Sequence, residues 1–289
     1  MTSVRRVGML LAGFLLFALP SFSQQLYISN ESQELLEVLN LSTGTFTTLY
    51  NVTGLGTGSK PDDLILNSQG QLLYSVGGGT GAVNLYDPVA KVNSTLVSDV
   101  PYARDLVIEP GGLTMLIALY TPGSIVRYNF ATGVKTTLIK KLVTCDGIAY
   151  DPNGNLYAVA DHNTIIQINP VTGAILNTLV LEPHKGVNGG DGLTYDSYTG
   201  SLWATHDGTT GSGLLEIPIT KTGLAGTFTF FPTSAQGVNA PDGIKSDGLG
   251  NLYIGAIWTT AVYNIPTGKV TKNIVTKGAD GVSLVPGTY

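Results

Sequence analysis

The sequence predicts an all-β chain closed into a six-bladed propeller of four-stranded antiparallel blades. One unit recurs six times, marked by Asp62, Arg104, Asp146, Asp191, Asp242 and Asp280, in steps of 42, 42, 45, 51 and 38 residues. Strand-like units repeating every 40 to 50 residues are the signature of propeller blades. The two ends of the chain also carry complementary parts of one unit, as a ring closed on itself requires.

The first 23 residues stand apart. Arg5 and Arg6 precede an apolar run from Val7 to Leu19, and Ser21-Phe22-Ser23 offers small residues at −3 and −1 of a cut before Gln24. This reads as a secretory leader over residues 1–23, with the propeller over residues 24–289. The apolar run is short for a membrane span, and no later stretch is apolar enough to be one. The expected product is secreted or periplasmic, with no membrane span. Loss of the leader takes the net charge from −5 to about −7, which disfavours nucleic acid and anionic membranes as partners. Cys145 is the only cysteine, so an internal disulfide is excluded; beside Asp146 it reads as a small buried residue and not a nucleophile. Thirty-seven glycines and 12% charged residues suit a turn-rich β protein.

The unit around Asp146 shows how each blade is built. Gly147 to Tyr150 reads as a first strand, and Asp151-Pro152-Asn153-Gly154 as a tight turn, with Pro presetting φ and Gly accepting positive φ. Leu156 to Val159 is the second strand, Thr164 to Ile168 the third, and Ile175 to Val180 the outer one. The turn Asn169-Pro170-Val171-Thr172-Gly173 recurs at Asn40 to Gly44, Asn129 to Gly133 and Asn264 to Gly268. These residues are turn chemistry, not a site.

The mature chain opens directly on a second strand, Leu26 to Ser29, and stops after a first strand, Gly281 to Val285. Five whole blades plus one shared between the ends make six. Joining the ends removes the open sheet edges.

In such a blade the first strand is innermost, and its start lies on the rim that also carries the strand 4→1 and 2→3 connections. That rim has the longer and less repetitive loops, where scaffolds place function. The markers put five carboxylates (Asp62, Asp146, Asp191, Asp242 and Asp280) and one guanidinium (Arg104) around one axis. Asp63 and Asp105 follow where other blades have Gly. His162 and His206 are read into 2→3 loops and His184 into a 4→1 loop, each a candidate acid or base. Tyr102, Tyr120, Asp207 and Trp258 complete the expected ligand rim, with Lys60 and Lys185 nearby. Five unpaired carboxylates cannot all stay ionised without cost. A hard divalent cation such as Ca²⁺ or Mg²⁺ would offset it. Alternatively, each Asp accepts backbone N–H groups at the start of strand one. No Gly-x-Ser-x-Gly elbow, Cys/His zinc spacing or phosphate loop is present.

The run Pro241-Asp242-Gly243-Ile244 to Asn251-Leu252-Tyr253, nearly repeated from Asp146 to Tyr157, resembles the SMP-30/gluconolactonase/LRE-like family and the related NHL-repeat propellers. The resemblance spans essentially all of residues 24–289. It implies a six-bladed propeller and, in gluconolactonase-like members, a divalent metal at the channel mouth held by a Glu, Asn residues and the Asp of a Pro-Asp-Gly motif. That Asp corresponds to Asp242; the equivalent positions in the other blades are Asp or Arg, not Glu or Asn. The expected function is an exported module binding a small molecule, glycan or protein at the channel mouth, with a divalent cation. The alternatives are a metal-dependent hydrolase of lactones or sugar esters, and an enzyme similar to the streptogramin lyases, centred on His206 or His184.

Overall fold

The computed structural model describes residues 24–55, 60–181, 190–207 and 211–286; the leader, His184 and Lys185 lie outside them. Six antiparallel sheets form six blades around one axis. Their innermost strands are Ala279–Leu284, Pro61–Leu66, Ala103–Ile108, Cys145–Tyr150, Gly190–Asp196 and Pro241–Ser246. We number the blades one to six in that order. Blade one is the shared one: Ala279–Leu284 pairs with the N-terminal strand Gln25–Asn30, from Leu26 opposite Leu284 to Asn30 opposite Ala279. Blade five departs from four simple strands. Its third strand, Gly213–Thr220, pairs with both a short hairpin at Gly223–Leu224 and an outer strand at Thr229–Pro232. No helix among the described residues is long and apolar enough to cross a membrane.

The turns form as their residue types dictate. The Asn40 side-chain oxygen accepts from the N–H groups of Ser42 and Thr43. Asn129 and Asn169 do the same two and three residues on, and so does Asp87. The first turns use a carboxylate more fully. Asp151 accepts from Asn153 N, Asn155 N, Asn155 Nδ2 and Tyr157 Oη, and Asp247 accepts from the matching groups of its own turn. Each side chain replaces the backbone partner that a tight turn loses.

The buried apolar residues fall into six clusters, one between each pair of neighbouring blades. Blades one and two meet through Leu36, Val52, Leu64 and Tyr74, and blades five and six through Trp203, Leu214, Ile254 and Tyr263. Alternation along each strand sends one face to each neighbour. The core is therefore a ring of six slabs, and the upper end of the axis is left to polar groups.

Candidate functional site: the channel mouth

Every innermost strand carries the same defect at its start. In blade two, Pro61 pairs with Val76 but Leu64 pairs with Tyr74, so three steps on one strand match two on the other. The same one-residue bulge falls at Ala103/Leu106, Cys145/Ile148, Gly190/Leu193, Pro241/Ile244 and Ala279/Val282. A bulge frees one residue from the ladder and redirects its side chain. All six markers stand in these bulges and line the cavity at the channel mouth.

In blades four, five, six and one a glycine follows the marker and lies tight against the next blade. A Cβ on Gly192 would meet Asp242 O at 2.5 Å, and one on Gly281 would meet Asp62 O at 2.6 Å. Glycine is required there by proximity. Hydroxyls on the second strands hold three of the bulges. Ser75 accepts from Asp63 N at 3.0 Å, Thr205 from Gly192 N at 2.8 Å and Ser29 from Gly281 N at 2.7 Å. Ser29 and Thr205 also donate to the carbonyls of Asp62 and Asp242 in the following blade.

Arg104 forms an ion pair with Asp62, and its guanidinium lies 5.3 Å from the centre of the Tyr120 ring, within cation–π range. Asp146 and Asp280 are only 7% and 6% exposed, and the Oδ2 atom of each has no hydrogen-bond partner. Burial, partly countered by Arg104, pushes Asp62 up to about 7 and Asp146 up to about 8. Burial and then the Asp242 charge raise Asp191 and Asp280 well above the carboxylate range, and Asp207 less far. Arg104 is raised by Asp62 against its own burial. The ring thus holds more acid than its one guanidinium offsets.

Below the ring lies a second layer. Asp63 and Asp105 stand where the other blades have glycine, and Lys245 reaches both carboxylates at 3.5 Å. Both also cap neighbouring strands: Asp63 accepts from Leu106 N at 3.2 Å, and Asp105 accepts from Ile148 N at 2.6 Å. In blades two and three, backbone N–H groups are thus capped by the carboxylate that follows the marker. Lys245 also borders a lower, apolar cavity lined by Ile65, Val107, Ala149 and Tyr195. It is therefore the floor between an acidic upper well of about 260 Å³ and an apolar lower one.

Tyr120, His162 and Asp207 join the markers at the mouth. Tyr120 Oη and His162 Nε2 are 3.2 Å apart. His162 sits in a tight loop in which it and Asp161 both take positive φ, 62° and 54°. The loop is braced on both sides: Asp161 accepts from Val143 N at 2.7 Å, and His162 O accepts from Gly190 N at 2.7 Å.

The remaining rim residues lie apart from the well. His206 is the last residue of a strand, paired with Gly190, 2% exposed and edge-on to Phe230; the strand runs farther than the sequence suggested, so His206 is not in a loop. Tyr102 and Trp258 are 44% and 63% exposed and do not line the cavity. Lys60 pairs with Glu31 at 3.3 Å. Cys145 is buried. Among the described residues no three acidic, His or Cys side chains converge as a ready coordination sphere. Lys245 was not among the expected residues.

No family model and no curated protein matches the chain. Solved structures do. A chain of the nidogen/laminin complex aligns at TM-score 0.71 and 15% identity, over 91% of this chain and 98% of that one. TolB from Acinetobacter baumannii aligns at 0.66 and 12%, over 91% and 67%. A luciferin-regenerating enzyme aligns at 0.54 and 15%, over 66% and 68%. The likeness is one of fold. At these identities it carries no chemistry across, and function rests on the site itself.

Proposed function

We propose that this chain is an exported binding module that holds a ligand or partner at the upper channel mouth through the carboxylate ring. The observation that carries this reading is the pair of buried, unpartnered oxygens on Asp146 and Asp280. A buried acceptor without a donor is costly, and both carboxyls stand in the wall of an open well. Burial alone favours their protonated forms; positive charge from outside, either a divalent cation or a charge on the ligand, would let them ionise and supply the missing partner. Carboxylate oxygens suit Ca²⁺ or Mg²⁺ as donors, although no three of the side chains converge on one point. The leader-like residues 1–23 are the basis for export. The nidogen/laminin structure supports a protein partner as one kind of occupant.

The test is titration of the mature protein with Ca²⁺, Mg²⁺ and candidate ligands by calorimetry, before and after EDTA, alongside Asp242→Asn. Stoichiometric binding that is lost in the variant supports the reading. Equal behaviour of wild type and variant toward every probe makes the ring structural.

One observation favours a second reading, a metal-dependent hydrolase of lactones or sugar esters. Tyr120 and His162 meet over the ring beside Asp207, as a proton-transfer pair would. A lactone and ester screen, with His162→Gln as control, decides it. The lyase reading rests on His206, which is buried beside Asp207 and does not line the well, and on His184.

A further inference from the structure

The geometry points to the guanidinium head of an unbranched alkyl arm as the occupant of the ring, seated among Asp146, Asp191, Asp242 and Asp280. This rests on the reading of the mouth as a binding site and narrows it to one ligand chemistry. The ring already contains such a group. Arg104 projects into it from blade three, pairs with Asp62 of blade two and lies on the face of Tyr120. That contact serves only one side. Blades four, five, six and one present four consecutive carboxylates with no basic marker among them, and the two unpartnered oxygens lie at the ends of that arc.

The shape of the well also favours a forked donor over a point charge. Its volume of about 260 Å³ is several times the roughly 30 Å³ of one water in the liquid. The carboxylates surround a space and do not converge on one point. A guanidinium fans its N–H groups in a plane and reaches separate carboxylates at about 2.7–2.9 Å. Lys245 closes the floor with a positive charge, which stops a cationic head at the level of the ring and leaves its alkyl arm pointing out of the mouth.

The experiment is calorimetric titration of the mature protein with agmatine, Nα-acetyl-argininamide, N-butylurea and Ca²⁺. N-Butylurea keeps a planar head without charge. Agmatine binding that persists in EDTA, weakens at least tenfold in both Asp146→Asn and Asp191→Asn, and is absent for N-butylurea is the expected result. Comparable affinity for Nα-acetyl-argininamide assigns the arm to a protein side chain, and a large preference for agmatine assigns it to a free amine; both support the inference. Ca²⁺ binding that is lost in the same variants, with no agmatine binding, overturns the inference and leaves the mouth a binding site. No binding of any probe overturns both. Melting curves of the variants, which remove repulsion and keep the bulge, establish that they are folded.

Discussion

Lys245 stands 3.5 Å from the carboxylate of Asp105, 140 residues away and on the diametrically opposite blade. With Asp63 it ties blades two, three and six together across the axis, beneath the ring. Removing one partner of a buried ion pair leaves an uncompensated charge, at about 3–5 kcal/mol. Lys245→Met is expected to lower the melting temperature at pH 7, with about 2–4 °C lost per kcal/mol in a chain of this size. The triple variant with Asp63→Asn and Asp105→Asn should recover most of the loss, because no charge is left stranded. A lone Lys245→Met that melts like wild type contradicts this tie across the axis.

The bulge glycines make a separate prediction. Gly192→Ala places a Cβ 2.5 Å from Asp242 O and 3.0 Å from Ile244 N, both backbone atoms of the next blade. The blades must part to admit it, at about 1–3 kcal/mol. Gly192→Ala should therefore destabilise the chain and also displace Asp191 and Asp242 from the ring, weakening whatever binds there. Wild-type stability and binding in this variant would mean that the blades are not in close contact there.

The repeat and the ring are legible in the sequence because both rest on local signals. The Asn and Asp turns announce themselves, and the marker at each bulge is one position read six times, with glycine after it in four blades. The hydroxyls of Ser29, Ser75 and Thr205 are not legible: an ordinary Ser or Thr in a strand gives no sign that it faces a bulge. Lys245 escapes notice for a similar reason. Three residues past its marker it stands where the other blades have Ile65, Val107, Ala149, Thr194 and Ser283, and only alignment of the repeats exposes it as the one charge in that layer. His206 reads as a loop residue because nothing local marks where its strand ends.

Stability should depend on pH in the direction opposite to a protein held by ionised carboxylates. Asp62 is raised to about 7 and Asp146 to about 8, against about 3.9 in an unfolded chain. Between those limits the folded state holds more protons than the unfolded one, so the stability that these two groups contribute falls as pH rises through the window and is lost above pH 8. Melting temperature is expected to drop from pH 5 to pH 8.5. Asp146→Asn, uncharged throughout, should flatten that slope. A melting temperature that climbs over this range would show that the ring carboxylates are fully ionised and well paired.

Arg104 supplies the complementary test. It is the one marker that offsets the charge of the others, and its value depends on their being ionised. Near pH 5 Asp62 and Asp146 retain protons, and loss of the guanidinium costs little. Near pH 8.5 the same loss leaves the ring without its internal counter-charge. Arg104→Gln is expected to destabilise by about 1–2 kcal/mol at pH 8.5, less than a fully buried pair because the guanidinium is partly open to water. At pH 5 the effect should be below about 0.5 kcal/mol. Paired melting curves of wild type and variant at the two pH values measure the difference. A penalty equal at both would assign Arg104 to packing against Tyr120, with no electrostatic part in the ring.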